Sequence, residues 1–334
     1  MLLVGATPLL RWHTGRFERG EAVSAIITYT ANPAIDVWAQ CDTVVPTEKT
    51  RVRDVRYDPG GGGINVARVL TALGASALPI YLAGGVTGPL FETLLKRTVS
   101  QSEPITIEGD TRLSEVIYEQ STGRELRFVA EGPVISAPEA VRVLDHIRLT
   151  LDQARAGDWF VASGSLPRGL PARHYLDLAE MAHAKGLFFA LDCSGEALHT
   201  TCRGEGRIDL LKLSKSELGD ITLHPLTDRS SVERAALELV ANGRITRVLV
   251  SLGPNGALLA DSEGLTFAPA IPIEVKSTVG AGDSFLGGFL FGLVQGATAA
   301  EALAMAIKAG SAACLNPGTQ LVDKEEFERL GQGF

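Results

Sequence analysis

The chain is poor in the residues that build disulfide frameworks and structural metal sites. Its 334 residues include only four cysteines, which are far apart and form no C-x-x-C pair, and six histidines with no H-E-x-x-H motif. Both a disulfide-rich fold and a structural zinc site are therefore disfavoured. The cysteine usage is typical of a reducing compartment, so we expect a cytoplasmic protein.

Excess positive charge and long apolar runs are also missing. Lysine and arginine total 31 against 39 acidic residues, a net charge of −8, so no general attraction to nucleic acid or anionic membranes is expected. The longest charge-free stretch, residues 284–300, is shorter than the ~20 apolar residues that a spanning helix needs. The composition, with 45% hydrophobic residues, predicts a globular protein that binds neither nucleic acid nor a membrane.

Several common catalytic signatures are absent as well. The dipeptide Gly-Lys does not occur, so the chain has no P-loop, and the H-R-D and D-F-G signatures of protein kinases are missing. Leu286 stands where a G-x-S-x-G motif needs its last glycine, and Asn65 stands where G-x-G-x-x-G needs its third. These absences disfavour P-loop enzymes, protein kinases, α/β-hydrolases and Rossmann dehydrogenases.

Short apolar runs alternate with helical patterns along most of the chain. The predicted strands begin with 25–30 and the predicted helices with 63–73, and a capping box at Ser230 and Glu233 marks the start of a helix over 230–242. The other predicted strands are 77–82, 159–162, 187–191, 208–213 and 246–252, and the other helices are 88–98, 138–154 and 171–185. This alternation predicts an α/β fold with a mostly parallel central sheet between helical layers.

Two polar segments interrupt this rhythm. Residues 37–58 and 105–130 alternate charged and β-favouring residues and are too polar for the centre of a buried sheet. We expect them to form a small second sheet that projects from one large α/β domain, residues 23–334, as a lid or a dimer surface. Residues 1–22 precede the first clear strand and are predicted to be an N-terminal appendage.

Two glycine clusters carry the predicted chemistry. The first, residues 59–65 (PGGGGIN), runs into a helix, and its glycines allow a backbone to approach a ligand closely. The second, residues 277–284 (STVGAGDS), opens an apolar helix whose unpaired amides and dipole favour an anion. Asp283 lies in the first turn of that helix, where it is either a simple cap or a carboxylate that accepts a proton from a substrate hydroxyl. The flanking glycines favour the catalytic interpretation.

These motifs, in this order, resemble the ribokinase-like (PfkB) sugar kinases over about residues 25–331. Besides the two glycine clusters, the resemblance rests on TANPAID (30–36), SGSLPRG (163–169), LDCSGEAL (191–198) and VSLGPNGAL (250–258). Within that family the chain is most similar to the phosphofructokinase and tagatose-phosphate kinase branch. The unbroken glycines of the first loop are closer to the minor ATP-dependent 6-phosphofructokinases than to fructose-1-phosphate kinases, which typically carry Gly-Lys-Gly there.

The resemblance implies a role for individual residues. Asp283 would deprotonate the acceptor hydroxyl, and the amides of Gly280, Ala281 and Gly282 would stabilise the transferring phosphoryl group. The residues implied in sugar binding are Asp36, Gly61, Gly62, Asn65 and Ser165, with Lys49, Arg112 and Arg127 toward its phosphate. Lys212, Ser214, Ser251, Gly253 and Gly256 are implied in nucleotide binding. Lys49, Arg51, Arg112 and Arg127 all lie in the two polar segments and could converge on one phosphate. For Arg51 and Arg127, an exposed position on the lid stays an open alternative.

The cofactors implied are MgATP and a monovalent cation. Glu217 matches the acidic end of an Asn-x-x-Glu motif associated with magnesium, but Ser214 replaces its asparagine, so we expect altered Mg²⁺ affinity rather than loss of activity. Asp192 is either part of the magnesium–water network or structural. The K⁺ site implied by the family maps to Ser277, Val279, Ala313, Asn316 and Gly318, while Gln320 stands where arginine is common in this branch.

The sequence therefore predicts a kinase that transfers phosphate from MgATP to the C1 hydroxyl of fructose 6-phosphate. A 1-phosphofructokinase or a tagatose-6-phosphate kinase is the alternative with the same chemistry. A non-catalytic sugar-phosphate or nucleotide sensor is the alternative from another class, and the replacement at Ser214 is the only feature in its favour. The resemblance also implies a homodimer formed through the lid.

Overall fold

The computed structural model describes residues 25–222 and 224–330. The predicted appendage, residues 1–22, lies outside the described residues. Within them, the chain forms one large sheet covered by helices on both faces and a separate small sheet. This arrangement confirms the predicted α/β fold.

The large sheet is mostly parallel. Its strands are β1 (Ile26–Thr30), β4 (Ala77–Gly84), β5 (Glu103–Ile107), β8 (Trp159–Ser163), β9 (Phe188–Asp192), β10 (Leu210–Ser214), β11 (Val248–Ser251), β12 (Ala257–Asp261) and β13 (Gly264–Ala268). Across the described part of the chain the order is β13-β12-β11-β10-β9-β8-β1-β4-β5. Among the described residues, the pairs β11–β12 and β12–β13 are antiparallel and the other neighbouring strands of this sheet are parallel. The parallel strands all end at one edge, which is where open α/β sheets bind ligands.

Helices cover both faces because the strand residues are apolar on both sides. The helices are α1 (Gly62–Ala72), α2 (Gly88–Leu95), α3 (Ala137–Leu151), α4 (His174–Ala184), α5 (Gly195–Arg203), α6 (Lys215–Ile221), α7 (Arg229–Ala241), α8 (Ala281–Val294), α9 (Ala299–Cys314) and α10 (Lys324–Arg329), with a 3₁₀ turn at Gly253–Asn255. In β1, Ile27 packs in the core that contains Val143 of α3. Its neighbour Ile26 points to the opposite face, into the core that contains Phe289 of α8.

The small sheet is built from the two polar segments. Its strands are β2 (Ala34–Cys41), β3 (Arg53–Gly60), β6 (Arg112–Glu119) and β7 (Arg124–Val129), in the order β3-β2-β6-β7. Residues 105–107 differ from the expectation, because they belong to β5 of the large sheet. Ile105 and Ile107 are buried there, so the start of this segment is apolar enough for the edge of the main core.

The start of α7 also differs from the prediction. Asp228, and not Ser230, is the N-cap: its side chain accepts a hydrogen bond from the amide of Ser231, whose hydroxyl accepts one from the amide of Asp228. The run DRSS (228–231) contains three residues that can cap a helix, and the sequence pattern predicted Ser230 where the structure has Asp228. The helix therefore begins one residue earlier than predicted, while Gly243 follows its end with a positive φ of 73° as expected.

Candidate active site

Two helix N-termini meet at the C-terminal edge of the large sheet. Asn65 in the first turn of α1 donates a hydrogen bond from Nδ2 to Oδ2 of Asp283 in the first turn of α8, over 2.8 Å. The two residues are 218 positions apart in the chain. This contact is the point at which the structure brings the two predicted glycine clusters together.

Close packing explains the glycine at the start of α1. A β-carbon on Gly62 would overlap the Ser163 hydroxyl and lie 2.8 Å from the amide nitrogen of Gly164, both at the end of β8. Only a residue without a side chain lets α1 begin against that strand end. The backbone of the predicted sugar-binding residues Gly61 and Gly62 is thereby held next to the loop that carries Ser165.

The N-terminus of α8 also depends on a glycine. Gly280 is its N-cap with φ 69°, a left-handed conformation that favours glycine, and a β-carbon there would collide with Leu321. The first amides of a helix have no partner within the helix, and its dipole is positive at this end. The turn formed by Gly280, Ala281 and Gly282 therefore suits an anion, and its contact with the transferring phosphoryl group stays a prediction.

The carboxyl group of Asp283 has an unusual proton affinity. Burial raises its pKa to about 7, and the nearby Asp192 adds to the increase. The hydrogen bond from Asn65 and the charge of Lys212 act in the opposite direction. A carboxyl that titrates near neutral pH can take the proton from a hydroxyl, so this position suits a general base better than a simple cap.

A buried ion pair lies next to the N-terminus of α8. Nζ of Lys212 on β10 is 3.1 and 3.2 Å from the two carboxylate oxygens of Asp192 on β9, and the two side chains are only 8% and 10% exposed. A β-carbon on Gly282 would lie 3.1 Å from the same Nζ. The ammonium therefore lies beside the N-terminus of α8, and its part in nucleotide binding stays a prediction.

Three carboxylates surround this one lysine. Burial lowers the pKa of Lys212, but Asp192, Glu217 and Asp283 raise it by more, so the net shift is upward. The pKa of Asp192 is also raised, mainly by burial. Burial is the main cause of the raised pKa of Asp283, the charge of Asp192 adds to it, and the charge of Lys212 opposes it.

Ser214 has a structural partner that the motif did not reveal. Its hydroxyl accepts a hydrogen bond from the Glu217 amide at 3.2 Å, and its own amide donates to Oε2 of Glu217 at 2.7 Å. This reciprocal capping box starts α6 directly after β10. Ser214 therefore caps the N-terminus of α6, as an asparagine at this position could, and it orients the Glu217 carboxylate.

The small sheet brings Asp36 near Asp283. The space between the small sheet and the C-terminal edge of the large sheet is called the cleft. Asp36 lies between Asp58 and Ser114 on the neighbouring strands. Burial raises its pKa to about 6, while Arg68 and a hydrogen bond with Ser114 act against this shift. Asp36 in turn raises the pKa of Asp283, so the two carboxyl groups are close enough to interact.

Arg112 and Ser165 are both brought to Asn32. Arg112 donates from Nη1 to the Ala130 carbonyl at 2.9 Å and from Nη2 to the Asn32 carbonyl at 3.0 Å, and its Nε is buried without a partner in the described part of the chain. The Asn32 side chain donates to Oγ of Ser165 at 3.3 Å. The guanidinium is thus anchored by two backbone carbonyls at the base of the small sheet.

Arg127 reaches the second glycine cluster, whereas Lys49 and Arg51 do not. Nη2 of Arg127 on β7 donates to Oγ1 of Thr278 at 3.3 Å and to Glu125 at 2.8 Å. Lys49 and Arg51 are exposed in the loop 42–52, which joins β2 and β3 at the end of the small sheet away from Asp36. Along β2 this loop lies about 17 Å from Asp36. The roles of these cations toward a sugar phosphate stay predictions.

The predicted nucleotide residues lie at the end of β11. Ser251 is paired in register with Ser214 on β10, and its hydroxyl is 3.5 Å from the Leu213 carbonyl. Gly253 and Gly256 bound the following 3₁₀ turn, both with positive φ. These residues flank the edge of the sheet beside Lys212, so their part in nucleotide binding stays a prediction with consistent geometry.

The predicted K⁺ residues come from two segments that the fold joins. The amide of Lys276 donates to the Cys314 carbonyl at 2.9 Å, which ties the stretch with Ser277 and Val279 to the end of α9. Asn316 donates from Nδ2 to the Leu321 carbonyl at 2.8 Å. The predicted residues Ala313 and Gly318 are on the same segment as Asn316. Binding of K⁺ by these residues stays a prediction.

Three residues near the site were missed by the sequence interpretation: Asn32, Asp58 and Arg68. Arg68 donates to both Asn65 and the Pro59 carbonyl, and it lies 3.8 Å from Asp58. One signal was present, because Arg68 is the only charged residue in the otherwise apolar α1 and follows Asn65 by three positions, which places both on one helix face. Asp58 and Asn32 gave no comparable signal.

No helix among the described residues is both long and apolar enough to cross a membrane.

A sequence model of the pfkB family carbohydrate kinases matches residues 26–326. The ATP-dependent 6-phosphofructokinase isozyme 2 of Mycobacterium tuberculosis is 38% identical over 310 residues, which cover 93% of this chain and 90% of that protein. The match therefore extends over nearly all of both chains.

Solved structures give the same result. The structure of phosphofructokinase-2 from Escherichia coli in complex with potassium has a TM-score of 0.86 to this chain at 34% sequence identity. The match covers 92% of this chain and 98% of the Escherichia coli chain. The structure of the same enzyme with fructose-6-phosphate has a TM-score of 0.84 at 33% identity, with the same coverage. The resemblance predicted from the motifs is confirmed, and the chain belongs to the pfkB family of carbohydrate kinases.

Proposed function

We propose that this protein transfers the γ-phosphoryl group of ATP to the C1 hydroxyl of fructose 6-phosphate. The observation that carries the proposal is Asp283, a carboxyl with a pKa of about 7 at the N-terminus of α8 and hydrogen-bonded to Asn65. The relatives named above, one a 6-phosphofructokinase and one crystallised with fructose-6-phosphate, support this choice of acceptor.

The chain's own residues suggest a simple sequence of events. Asp36, Asn65 and the backbone of Gly61 and Gly62 hold the sugar hydroxyls, while Arg112 binds the sugar phosphate with Nη donors that the two backbone carbonyls leave free. Asp283 takes the C1 hydroxyl proton as the oxygen attacks the γ-phosphorus. The amides at the start of α8 then stabilise the negative charge that spreads over the transferring group, and the β–γ bridging oxygen leaves with ADP.

The small sheet would act as a lid in this reaction. Arg127 already connects β7 to Thr278 in the second glycine cluster, so the small sheet and the phosphoryl site are linked across the cleft. Closing the cleft around the sugar would exclude water and limit hydrolysis of ATP.

Mg²⁺ and K⁺ are the cofactors that we propose. No group of three or more His, Cys, Asp or Glu side chains among the described residues forms a metal cage, which fits Mg²⁺ because this ion is usually held by phosphates, waters and one or two carboxylates. Glu217, through water, and Asp192 are the carboxylates next to the lysine. Mg²⁺ would neutralise charge on the phosphates.

For K⁺, replacing KCl by NaCl in the assay should lower activity, and equal rates in the two salts would contradict the proposed K⁺ site.

Fructose 6-phosphate is expected to give the highest kcat/KM in an acceptor panel. The measurement is ADP release with MgATP and fructose 6-phosphate, fructose 1-phosphate or tagatose 6-phosphate, with Asp283→Asn as the matched control. A preference for another sugar phosphate would keep the chemistry and change the acceptor. If every acceptor were inert while ATP still bound, the kinase proposal would fail and a sensor would be the better description.

Ser214→Asn is expected to change the Mg²⁺ requirement rather than the catalytic step. Asparagine can keep the cap of α6 while adding a longer side chain toward the phosphates, so the Mg²⁺ concentration at half-maximal rate should fall. Ser214→Ala is the control that removes the cap, and it should cost about 1 kcal/mol of stability. Mg²⁺ titrations of activity test this, and identical curves for wild type and Ser214→Asn would rule it out.

We also propose a homodimer formed through the lid. Tyr57, Leu113 and Phe128 lie on the face of the small sheet opposite to Asp36 and are 48%, 40% and 58% exposed. Such an apolar sheet face is usually covered by a partner. Phe128→Glu should increase the monomer fraction in sedimentation velocity, and a wild-type chain that is monomeric at micromolar concentration would exclude the dimer.

A further inference from the structure

Arg68 is linked to Asp283, the proposed base, through the side chain of Asn65. It lies on α1, one turn after Asn65, and its Nη1 donates to Oδ1 of Asn65 at 3.2 Å and to the Pro59 carbonyl at 2.7 Å. Its side chain is only 9% exposed. Burying a guanidinium is costly unless it is paired and hydrogen-bonded, so such a residue in an apolar helix needs a reason.

The chemistry of the contact fixes the orientation of the Asn65 amide. A guanidinium carries donors only, so the group that faces Arg68 must be the carbonyl oxygen of Asn65. The NH₂ group is then directed to Oδ2 of Asp283, the 2.8 Å contact. A rotated amide would place its oxygen against a carboxylate and its NH₂ against a guanidinium, which are two repulsive contacts.

A second set of contacts holds Arg68 itself. Its Nη2 lies 3.8 Å from Oδ1 of Asp58, whose other oxygen accepts hydrogen bonds from Nε of Arg56 at 3.0 Å and from Oγ1 of Thr319. Arg56 also donates to the Pro317 carbonyl at 2.9 Å. The network therefore joins β3 of the small sheet, α1 and the segment after α9, three elements that surround the cleft.

We propose that Arg68 is a positioning residue for the reaction: it fixes the Asn65 amide so that its NH₂ group holds the Asp283 carboxylate in the orientation for proton removal. The inference rests on the proposed role of Asp283 as the base. Arg68 does not itself touch the base. The charged groups that act on Asp283 are Asp36 of β2, Arg68 of α1, Asp192 of β9 and Lys212 of β10.

The proposal predicts a shift in a pH profile. Without a donor-only partner, Asn65 can rotate, and Asp283 loses both a hydrogen bond and a nearby positive charge, so its pKa rises. Arg68→Met should lower kcat by ~10- to 100-fold, the effect of one charged hydrogen bond. The midpoint of the acid limb of kcat should move to higher pH, while KM for MgATP stays unchanged. Arg148→Met, which removes an exposed i,i+3 ion pair on α3, is the control and should change neither kcat nor the midpoint of its acid limb.

Two further variants separate orientation from simple packing. Arg68→Gln keeps a side chain that can donate but can also accept, so it should shift the midpoint as methionine does. Arg68→Lys keeps a charged, donor-only group and should restore most of the wild-type midpoint. If Arg68→Met does not fold, the glutamine and lysine variants carry the same comparison. A fall in kcat with an unmoved midpoint in the glutamine or methionine variant would overturn the proposal.

A measurement without turnover keeps this test distinct from the test of function. In protein labelled with ¹³C at the aspartate carboxyl carbons, the resonance that Asp283→Asn removes reports the titration of Asp283 directly. Its midpoint should be higher in Arg68→Met and Arg68→Gln than in wild type and Arg68→Lys. An inactive wild-type enzyme would refute the proposed function, whereas equal midpoints in all four proteins would refute the role of Arg68.

Discussion

Replacement of Asp283 by asparagine is expected to lower kcat by roughly 10²- to 10⁴-fold, the usual contribution of a general base. Asparagine has nearly the same shape and can keep a contact with Asn65, but it cannot take the proton of the acceptor hydroxyl. Nucleotide affinity should change little, because the amides at the start of α8 remain. Steady-state rates together with calorimetric titration of ATP test this expectation.

The same substitution should stabilise the protein, and the gain should depend on pH. The pKa of Asp283 is raised from its ordinary value of 3.8 to about 7 in the fold, so the ionised form is disfavoured by folding. The destabilisation is absent below pH 4, grows as pH rises toward 7, and is complete above it. Asp283→Asn should therefore raise Tm by a few degrees at pH 8 and by almost nothing at pH 4.

Two results would contradict this account of Asp283. Loss of ATP binding in the asparagine variant would show that the substitution disturbs the helix N-terminus rather than the proton transfer. A wild-type profile of kcat without an acid limb near pH 7 would show that the carboxyl does not titrate where its surroundings place it. Either result would leave the base of the reaction unidentified.

Replacement of Lys212 by methionine is expected to have the largest effect on stability. The substitution leaves Asp192 buried without a partner, and breaking a buried ion pair from one side typically costs about 3–5 kcal/mol. It also removes a positive charge that lowers the pKa of Asp283, so this pKa should rise further. Activity should fall as well, because the ammonium next to Gly282 is lost.

A double-variant cycle separates the ion pair from other effects. Lys212→Met combined with Asp192→Asn removes both charges and should recover a large part of the lost stability, because an uncharged amide is less costly to bury than a carboxylate. Urea unfolding of the two single variants and the double variant measures the coupling. Additive losses would mean that the two side chains do not stabilise each other, despite their 3.1 Å contact.

Much of the fold was predictable because its signals are local. Six strands of the large sheet and five helices follow from apolar runs and helical periodicity, since each element buries its own residues. The last two strands, β12 and β13, were missed because they form an antiparallel hairpin that interrupts the alternation of strands and helices. The cap of α7 was misplaced because Ser230, Ser231 and Asp228 all satisfy the local rule, and only the geometry of the turn selects among them.

The sequence by itself determined the family, the two glycine clusters and the residue types that phosphoryl transfer to a sugar needs, because motifs are contiguous stretches of chain. Only the tertiary structure decided which distant groups share one environment. It placed Asn65 against Asp283, paired Lys212 with Asp192, and left Lys49 away from the cleft. The physical reason is that a pKa, an ion pair or the orientation of an amide depends on separations in space, and in a parallel sheet neighbouring strand ends come from distant parts of the chain.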